Sequence, residues 1–408
     1  MSRAAFAYDP FSVEAMTDPL AQYSVLRKLP GPYRLERYHA WALSRFADVW
    51  EVFIDLENFS IIEGPIFDVD VIAAGHHNTG PPRPQLEPMP GFASLDPPVH
   101  TQLRQALSAP LRPRPVSLLE RDVRELARGR LDELIPKGRF DVRGDYAGPV
   151  SAGVMCLVVG LPLESALSVQ ELANASLRRA PGRPGLTEEG LRARTELDAL
   201  LLDVVRRRRE GVGTAPEGMV DRMLTTRFDN RLLRDEEIVI QIRAIVSGGI
   251  ETVPKVVAAG LLELWSHPEQ RLQIGRDPAR CATAFEEMVR FGGPLQWVGR
   301  TLVRDRVVAG TPMSAGERVV LLIASANRDE EEFIEPDEFR WDRSMPRHLG
   351  FGQGHHYCIG AHVARLEGRV LLEELLARVP EYEIDATHLE RTPSEFQVGL
   401  AQVPLVVG

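Results

Sequence analysis

Apolar positions recur at helical spacing over several long stretches and alternate over a few short ones, with proline- and glycine-rich breaks between them. The first 60 or so residues are mixed. Tyr33 to Leu35 and Ala40 to Leu43 predict short strands, and Arg45 to Asp55 predicts a helix. Residues 80 to 98 carry prolines at 81, 82, 84, 88, 90, 97 and 98, which predicts a loop, because proline lacks the N–H that helices and sheets use. Helical periodicity returns at Val99 to Leu107 and Leu118 to Leu134. A second break follows at Arg179 to Gly185, after which Thr187 is placed to cap a helix reaching Arg209. The longest periodic stretch runs from Asp235, the expected N-cap, to Ser266, where Pro268 stops it. Further helices are predicted over Pro278 to Phe291 and Ala361 to Val379. Strand-like patches occur at Arg306 to Val308 and Arg318 to Ile323, around turns at Gly310 and Gly316. Helices outnumber strands, and residues 1–408 read as one mainly α domain with small β elements.

Hydrophobic residues at 44% allow a large core, and 48 basic against 58 acidic residues give a formal charge of −10. That balance argues against nucleic acid as a partner, since such binding needs clustered cations. The run Arg206–Arg209 is explained by its place at a helix C-terminus, where cations complement the dipole. The three cysteines, Cys156, Cys281 and Cys358, form no CxxC pair, so neither a zinc site nor a disulfide framework is suggested. Cys156 lies in the apolar run Val154–Val159 and reads as a core residue. The first ten residues do not resemble a signal peptide, and no window of 18 residues is apolar and uncharged. A reducing cytoplasm and no membrane are the expectations.

The chemistry concentrates in Phe351-Gly352-Gln353-Gly354-His355-His356-Tyr357-Cys358-Ile359-Gly360, just ahead of a predicted helix. Glycines let the backbone turn tightly there. A cysteine at a helix N-terminus meets free N–H groups and the positive end of the dipole, which favour thiolate, the metal-binding form. Taken alone, a cysteine in such a turn reads first as a buried packing residue. Glu287 and Arg290 stand three apart, on one helix face; His100 and Arg104 stand four apart. In Ser247-Gly248-Gly249-Ile250-Glu251-Thr252-Val253-Pro254, two glycines interrupt a helix otherwise rich in Ile, Val and Ala, at a cost of about 1 kcal/mol each. The benefit suggested is space. Pro254 removes the N–H that would meet the Ile250 carbonyl, which predicts a kink. Glu251 could instead form a surface ion pair with Lys255.

Taken together, and in this order along nearly the whole chain, these segments resemble the bacterial members of the cytochrome P450 family. Residues 351–360 resemble its heme loop, and Glu287-Met288-Val289-Arg290 its Glu-x-x-Arg motif. Residues 96–104 resemble its Asp-x-Pro-x-His-x-x-x-Arg segment, Ala326–Asp329 another common bacterial segment, and 248–252 its oxygen-binding helix. The resemblance implies a triangular helical prism with small β-sheets, binding heme b. It places Cys358 as axial iron ligand, with Phe351, Gly354, Gly360 and Gly248 around the cofactor. His100, Arg104, Arg300 and His356 would hold the propionates. Glu287 and Arg290 would form a buried structural pair with Arg343, or failing that Arg340. Thr252 and Glu251 would deliver protons. Glu251 stands where aspartate is commoner, and Pro254 departs from the usual pattern.

The expected reaction is hydroxylation or O-dealkylation of a small apolar molecule with dioxygen. No GxGxxG or flavin-like segment is found, so electrons are expected from a ferredoxin with its NAD(P)H-dependent reductase, docking near Arg112 and Arg365. The pocket is expected around the 80–98 loop, the 179–187 break, Leu295, Trp297, Val298, Phe396 and Gln397, with Gln296 or Gln397 as a polar anchor. A monomer is expected. A peroxygenase or isomerase needing no electron partner, and a non-catalytic heme sensor, remain as the other readings.

Overall fold

The longest apolar periodicity becomes the longest helix. In the computed structural model, which describes residues 6–69, 72, 89–212, 217–228 and 230–408, Asp235–Ser266 forms one helix that continues through Pro254. Helices Gly148–Val159, Glu188–Arg209, Arg280–Gly292 and Ala361–Arg378 pack around it. By length and hydropathy this helix could cross a membrane. However, 67% of its most apolar stretch is buried inside the protein, and it carries buried Glu251 and Lys255, as suits the central helix of a folded core.

Its cap differs from the expectation. Asp235 is already helical and Arg234 is the N-cap; Glu237 reaches back to accept from the Arg234 N–H at 2.8 Å. The Glu at the third helical position supplies what an acidic cap would have supplied. Thr187 caps as expected, accepting from the Gly190 N–H at 3.0 Å, and Arg206–Arg209 form the last turn of Glu188–Arg209. The stretch expected as one helix from Leu118 divides at Leu119 into Pro113–Leu118 and Glu120–Leu134.

Close helix contacts explain several glycines. A Cβ on Gly260 would lie 2.1 Å from Met288 Sδ, and one on Gly368 would lie 2.0 Å from the Phe285 ring. Any larger residue would push the helices apart.

Both N-terminal strands form as expected and belong to a five-stranded sheet ordered Tyr33–Leu35, Ala40–Leu43, Arg318–Leu321, Val298–Leu302, Phe59–Ser60. Ala40–Leu43 and Arg318–Leu321 pair in parallel; the other neighbours are antiparallel. The register sets Arg300 opposite Val319. Arg306–Val308 and Thr311–Met313 form the expected hairpin, with Gly310 at φ +77°. Of the expected 80–98 loop, residues 89–98 are described and contain one short 3-10 turn, Phe92–Ser94; residues 80–88 lie outside the described residues.

Candidate active site

A cavity of about 390 Å³ lies between the central helix and the cysteine loop. Gly248, Thr252 and Val253 line one side, Phe351, Cys358 and Gly360 the other. The loop is shaped by its glycines. Gly352 and Gly354 have φ of +67° and +71°, and a Cβ on Gly354 would lie 2.4 Å from the Phe53 carbonyl. Only glycine takes both the angle and the contact without strain. The Cys358 N–H donates to the Phe351 carbonyl at 2.8 Å, and the helix Ala361–Arg378 begins three residues on. Of the three cysteines only Cys358 borders the cavity. Cys156 and Cys281 are buried elsewhere, and burial pushes their thiols up to about 11 and about 12. Burial also pushes the Cys358 thiol up, against the pull of the Gly360 N–H, Arg104 and Arg365. The helix-terminus effect expected from the sequence is therefore present, but in the protein alone desolvation exceeds it.

Four basic side chains converge at one end of this space. His100 and His356 stack with ring centroids 4.1 Å apart, and both His100 nitrogens and His356 Nε2 are buried without a hydrogen-bond partner among the described residues. Burial, then the neighbouring cations, lower His100 to about 4 and His356 to about 2. Arg300 is buried over the Phe53 ring, with one hydrogen bond to the Gly299 carbonyl at 2.7 Å, and burial lowers it to about 10. Arg104 donates to the Tyr357 carbonyl at 2.6 Å. Buried donors and cations without counter-charges are costly, so this end suits a dianionic group. The space beside it is flat-walled where a side chain would intrude: a Cβ on Gly248 or Gly360 meets nothing within 4 Å. A planar apolar ring with two carboxylates and an iron for the thiol fits this donor set. The second glycine has a different purpose from the one expected. A Cβ on Gly249 would lie 2.2 Å from Met155 Sδ, so this glycine, which also borders the cavity, is needed for the close approach of Met155.

The acid–alcohol pair is arranged in an unexpected way. Thr252 Oγ1 donates to the Gly248 carbonyl at 2.6 Å and borders the cavity. Glu251 does pair with Lys255, at 2.6 Å, but the pair is buried, not on the surface, and Arg143 adds a second cation at 3.1 Å. Burial alone would raise the Glu251 carboxyl; Lys255 and Arg143 outweigh it and hold the group below its ordinary value. Arg143 comes from a π-helical segment, Val142–Ala147, that no pattern in the sequence announces.

Glu287 and Arg290 form a buried bidentate pair at 2.7 Å. Arg343 adds a guanidinium contact to Glu287 at 3.1 Å, as expected; Arg340 adds only its backbone N–H, at 3.1 Å, while its side chain goes to Glu335. Arg290 also donates to the carbonyls of Asn327 and Pro336, at 2.7 and 2.9 Å. Asn327 in turn accepts from the Leu349 N–H at 2.7 Å, just ahead of the cysteine loop.

The expected pocket residues divide. Leu295, Val298 and Gln397 border the cavity; Trp297 and Phe396 do not. Leu295 bridges to Gln397, whereas Gln296 turns outward to Tyr23 Oη and the Ala15 carbonyl, at 2.6 and 3.0 Å. Trp297 is fully buried against Phe11 and Phe67 on the far side. Phe396 instead lies under Arg179. Gln296 and Trp297 lie between an isolated bridge at Leu295 and the strand that starts at Val298, and there the chain turns both side chains away from the cavity. The 179–187 break likewise stays outside the wall, although Arg179 pairs with Glu395 at 2.7 Å. Of the docking cations, Arg112 is exposed, but Arg365 is engaged by Glu286 at 2.6 Å and by Tyr357 Oη.

One buried acid on the cavity was missed. Glu367 accepts from the Ser151 hydroxyl, and burial raises it to about 8. Because its folded value lies above the unfolded value, its contribution is full below about pH 4.5 and is lost as pH rises through about 8. The melting temperature of Glu367→Gln should therefore gain on the wild type steadily from pH 5 to pH 8. A gap independent of pH would mean that Glu367 titrates normally.

Comparisons with known proteins agree with this geometry. The cytochrome P450 family profile matches residues 282–405. Cytochrome P450 130 of Mycobacterium tuberculosis is 32% identical over 383 residues, 91% of each chain. The vitamin D(3) 25-hydroxylase of Pseudonocardia autotrophica is 29% identical over 416 residues, 98% of this chain and 96% of that one. Among solved structures, a mutant of P450 EryK in complex with erythromycin B superposes with a TM-score of 0.82 at 28% identity, covering 96% of this chain and 97% of that one. The chain belongs to the cytochrome P450 family and is a heme b monooxygenase, taking an organic substrate, dioxygen and electrons from redox partners.

Proposed function

We propose that residues 1–408 act as one unit in which Cys358 is the axial thiolate of heme b, and that the protein hydroxylates or O-dealkylates a mainly apolar organic molecule. The observation that carries this reading is the meeting, around one cavity, of the cavity's single cysteine with buried Arg300, half-buried Arg104, and two histidines whose buried ring nitrogens lack partners among the described residues. Arg104 and Arg300 suit the propionates by charge, and His100 and His356 by their unpartnered nitrogens. Phe351, Gly354 and Gly360 shape the loop, and Gly248 keeps the opposite wall clear. When bound, the heme activates dioxygen with two electrons and two protons, inserting one oxygen atom into the substrate and releasing the other as water.

The chain's own contribution is to hold and exclude. Leu295, Val298, Phe92 and Ile245 give an apolar wall that keeps water away from the reacting centre. Thr252 Oγ1 holds its proton on the Gly248 carbonyl, within the cavity, where it can be handed inward. Glu251 stands next to it as the group that replaces that proton, held as a carboxylate by Lys255 and Arg143 until one of those contacts loosens. Electrons come from a ferredoxin and its NAD(P)H-dependent reductase, with Arg112 part of the docking face, in the cytoplasm and with the protein as a monomer. Relatives named for vitamin D(3) hydroxylation, or solved with erythromycin B, support a bulky organic substrate.

The test is reconstitution with a ferredoxin and reductase under ¹⁸O₂, using ligands that perturb the ferric spectrum. Product carrying one ¹⁸O atom, dependent on both proteins, is expected. Turnover with peroxide alone and none with the electron-transfer proteins would favour a peroxygenase.

A further inference from the structure

Lys255 has a second partner that proton delivery does not explain. Its side chain is 1% exposed, and its ammonium lies between Glu251 Oε2, at 2.6 Å, and Gln397 Oε1, at 2.7 Å. Gln397 borders the cavity. An ammonium only donates, so the amide oxygen of Gln397 must be the atom facing Lys255; the opposite orientation would set an NH₂ group against a buried cation. The amide nitrogen is thereby turned away from Lys255. It has no hydrogen-bond partner among the described residues and is not sealed from the open space. The backbone fixes the position as well. The Gln397 N–H donates to Ser394 Oγ at 3.2 Å, Leu295 bridges to Gln397, and the Val398 N–H donates to the Pro294 carbonyl at 2.7 Å. Gln397 shares the cavity lining with the apolar Leu295, Val298 and Val253, and the Thr252 hydroxyl proton is already on the Gly248 carbonyl.

We propose that Lys255 is a positioning residue that fixes Gln397 as a hydrogen-bond donor to the substrate, so that the preferred substrates are apolar molecules carrying one acceptor oxygen, such as a ketone, ester or ether. This rests on the reading of the cavity as the substrate site. A fixed donor left unpaired by a pure hydrocarbon is a desolvated polar group without compensation, and that penalty gives the selectivity. Lys255 supplies the orientation: without its ammonium the amide can rotate and offer its oxygen instead.

The probes are 2-adamantanone and adamantane, which share a cage and differ by a carbonyl. Each is titrated into the ferric, heme-loaded protein, read by calorimetry and by the heme spectrum. The ratio of the adamantane Kd to the adamantanone Kd should fall about tenfold in Gln397→Leu and by a similar factor in Lys255→Met. A lysine that matters only for packing would lower the melting temperature of Lys255→Met without moving the ratio. A ratio that falls in Gln397→Leu alone overturns the role of Lys255. A ratio unchanged in Gln397→Leu, or binding of neither probe by the wild type, overturns the proposal. Heme content and the carbonyl spectrum are read on the same samples. If both are normal while the ratio does not move, the donor is wrong and the monooxygenase reading stands.

Discussion

Glu287→Ala and Arg290→Ala should each abolish accumulation of folded, heme-loaded protein. The pair is buried and bidentate, so either truncation strips a desolvated charge of its main partner, and the single Arg343 contact to Glu287 does not replace the fork of Arg290. Breaking a buried pair costs about 3–5 kcal/mol, a large part of the stability of an ordinary domain. Arg290→Ala carries a further loss, because its donors also hold the carbonyls of Asn327 and Pro336. Asn327 accepts from the Leu349 N–H, and Leu349 is two residues before Phe351, so the damage reaches the cysteine loop directly. Heme content per folded protein should fall along with the melting temperature. Arg290→Lys should rescue poorly, since a point-like ammonium cannot reproduce the planar fork. Normal melting and normal heme content in both alanine variants would show that the pair holds nothing together.

Thr252→Val should uncouple the enzyme. Valine keeps the shape and removes only the hydroxyl that now donates to the Gly248 carbonyl. If Thr252 hands protons into the cavity, reduced nicotinamide and oxygen are still consumed. Product per nicotinamide then falls by more than half, and hydrogen peroxide rises to match. Thr252→Ser, which keeps the hydroxyl, should recover much of the yield. Glu251→Gln should behave differently. It removes the negative charge between Lys255 and Arg143, leaving buried Lys255 and half-buried Arg143 facing an amide. Turnover should slow and the melting temperature should drop, with less change in the partition between product and peroxide. Unchanged product yield in Thr252→Val would remove the hydroxyl from the mechanism and move attention to Glu251.

What could be read from the sequence had a local cause. The glycines around Cys358 encode backbone angles within one loop, so the site is visible as a motif. Glu287 and Arg290 share a face by helical spacing alone. Tyr33–Leu35 and Ala40–Leu43 read as short strands, and both are strands in the structure. The misses are long-range or face-dependent. Trp297 reads as a pocket residue beside Leu295 and Val298, yet it packs against Phe11 and Phe67, which come from distant parts of the chain. Gly249 and Gly248 are identical in sequence, and only Met155, from another helix, tells them apart. Arg143 meets Glu251 across 108 residues. Gln397 meets Lys255 across 142. No periodicity carries such pairings. The i, i+4 spacing of Glu251 and Lys255 allows an ion pair, as the alternative to proton delivery, but on the surface; that the pair is buried depends on what the rest of the fold lays over it.

The central claim is that Cys358 holds the heme iron. The direct measurement is the absorption spectrum of the reduced protein under carbon monoxide, for the wild type and for Cys358→Ala. The wild type should show the strongly red-shifted Soret band of thiolate ligation, and Cys358→Ala should lose it, with Cys156→Ala and Cys281→Ala unchanged. A wild-type band at the position typical of histidine-ligated heme, or a thiolate band that survives in Cys358→Ala, would contradict the account.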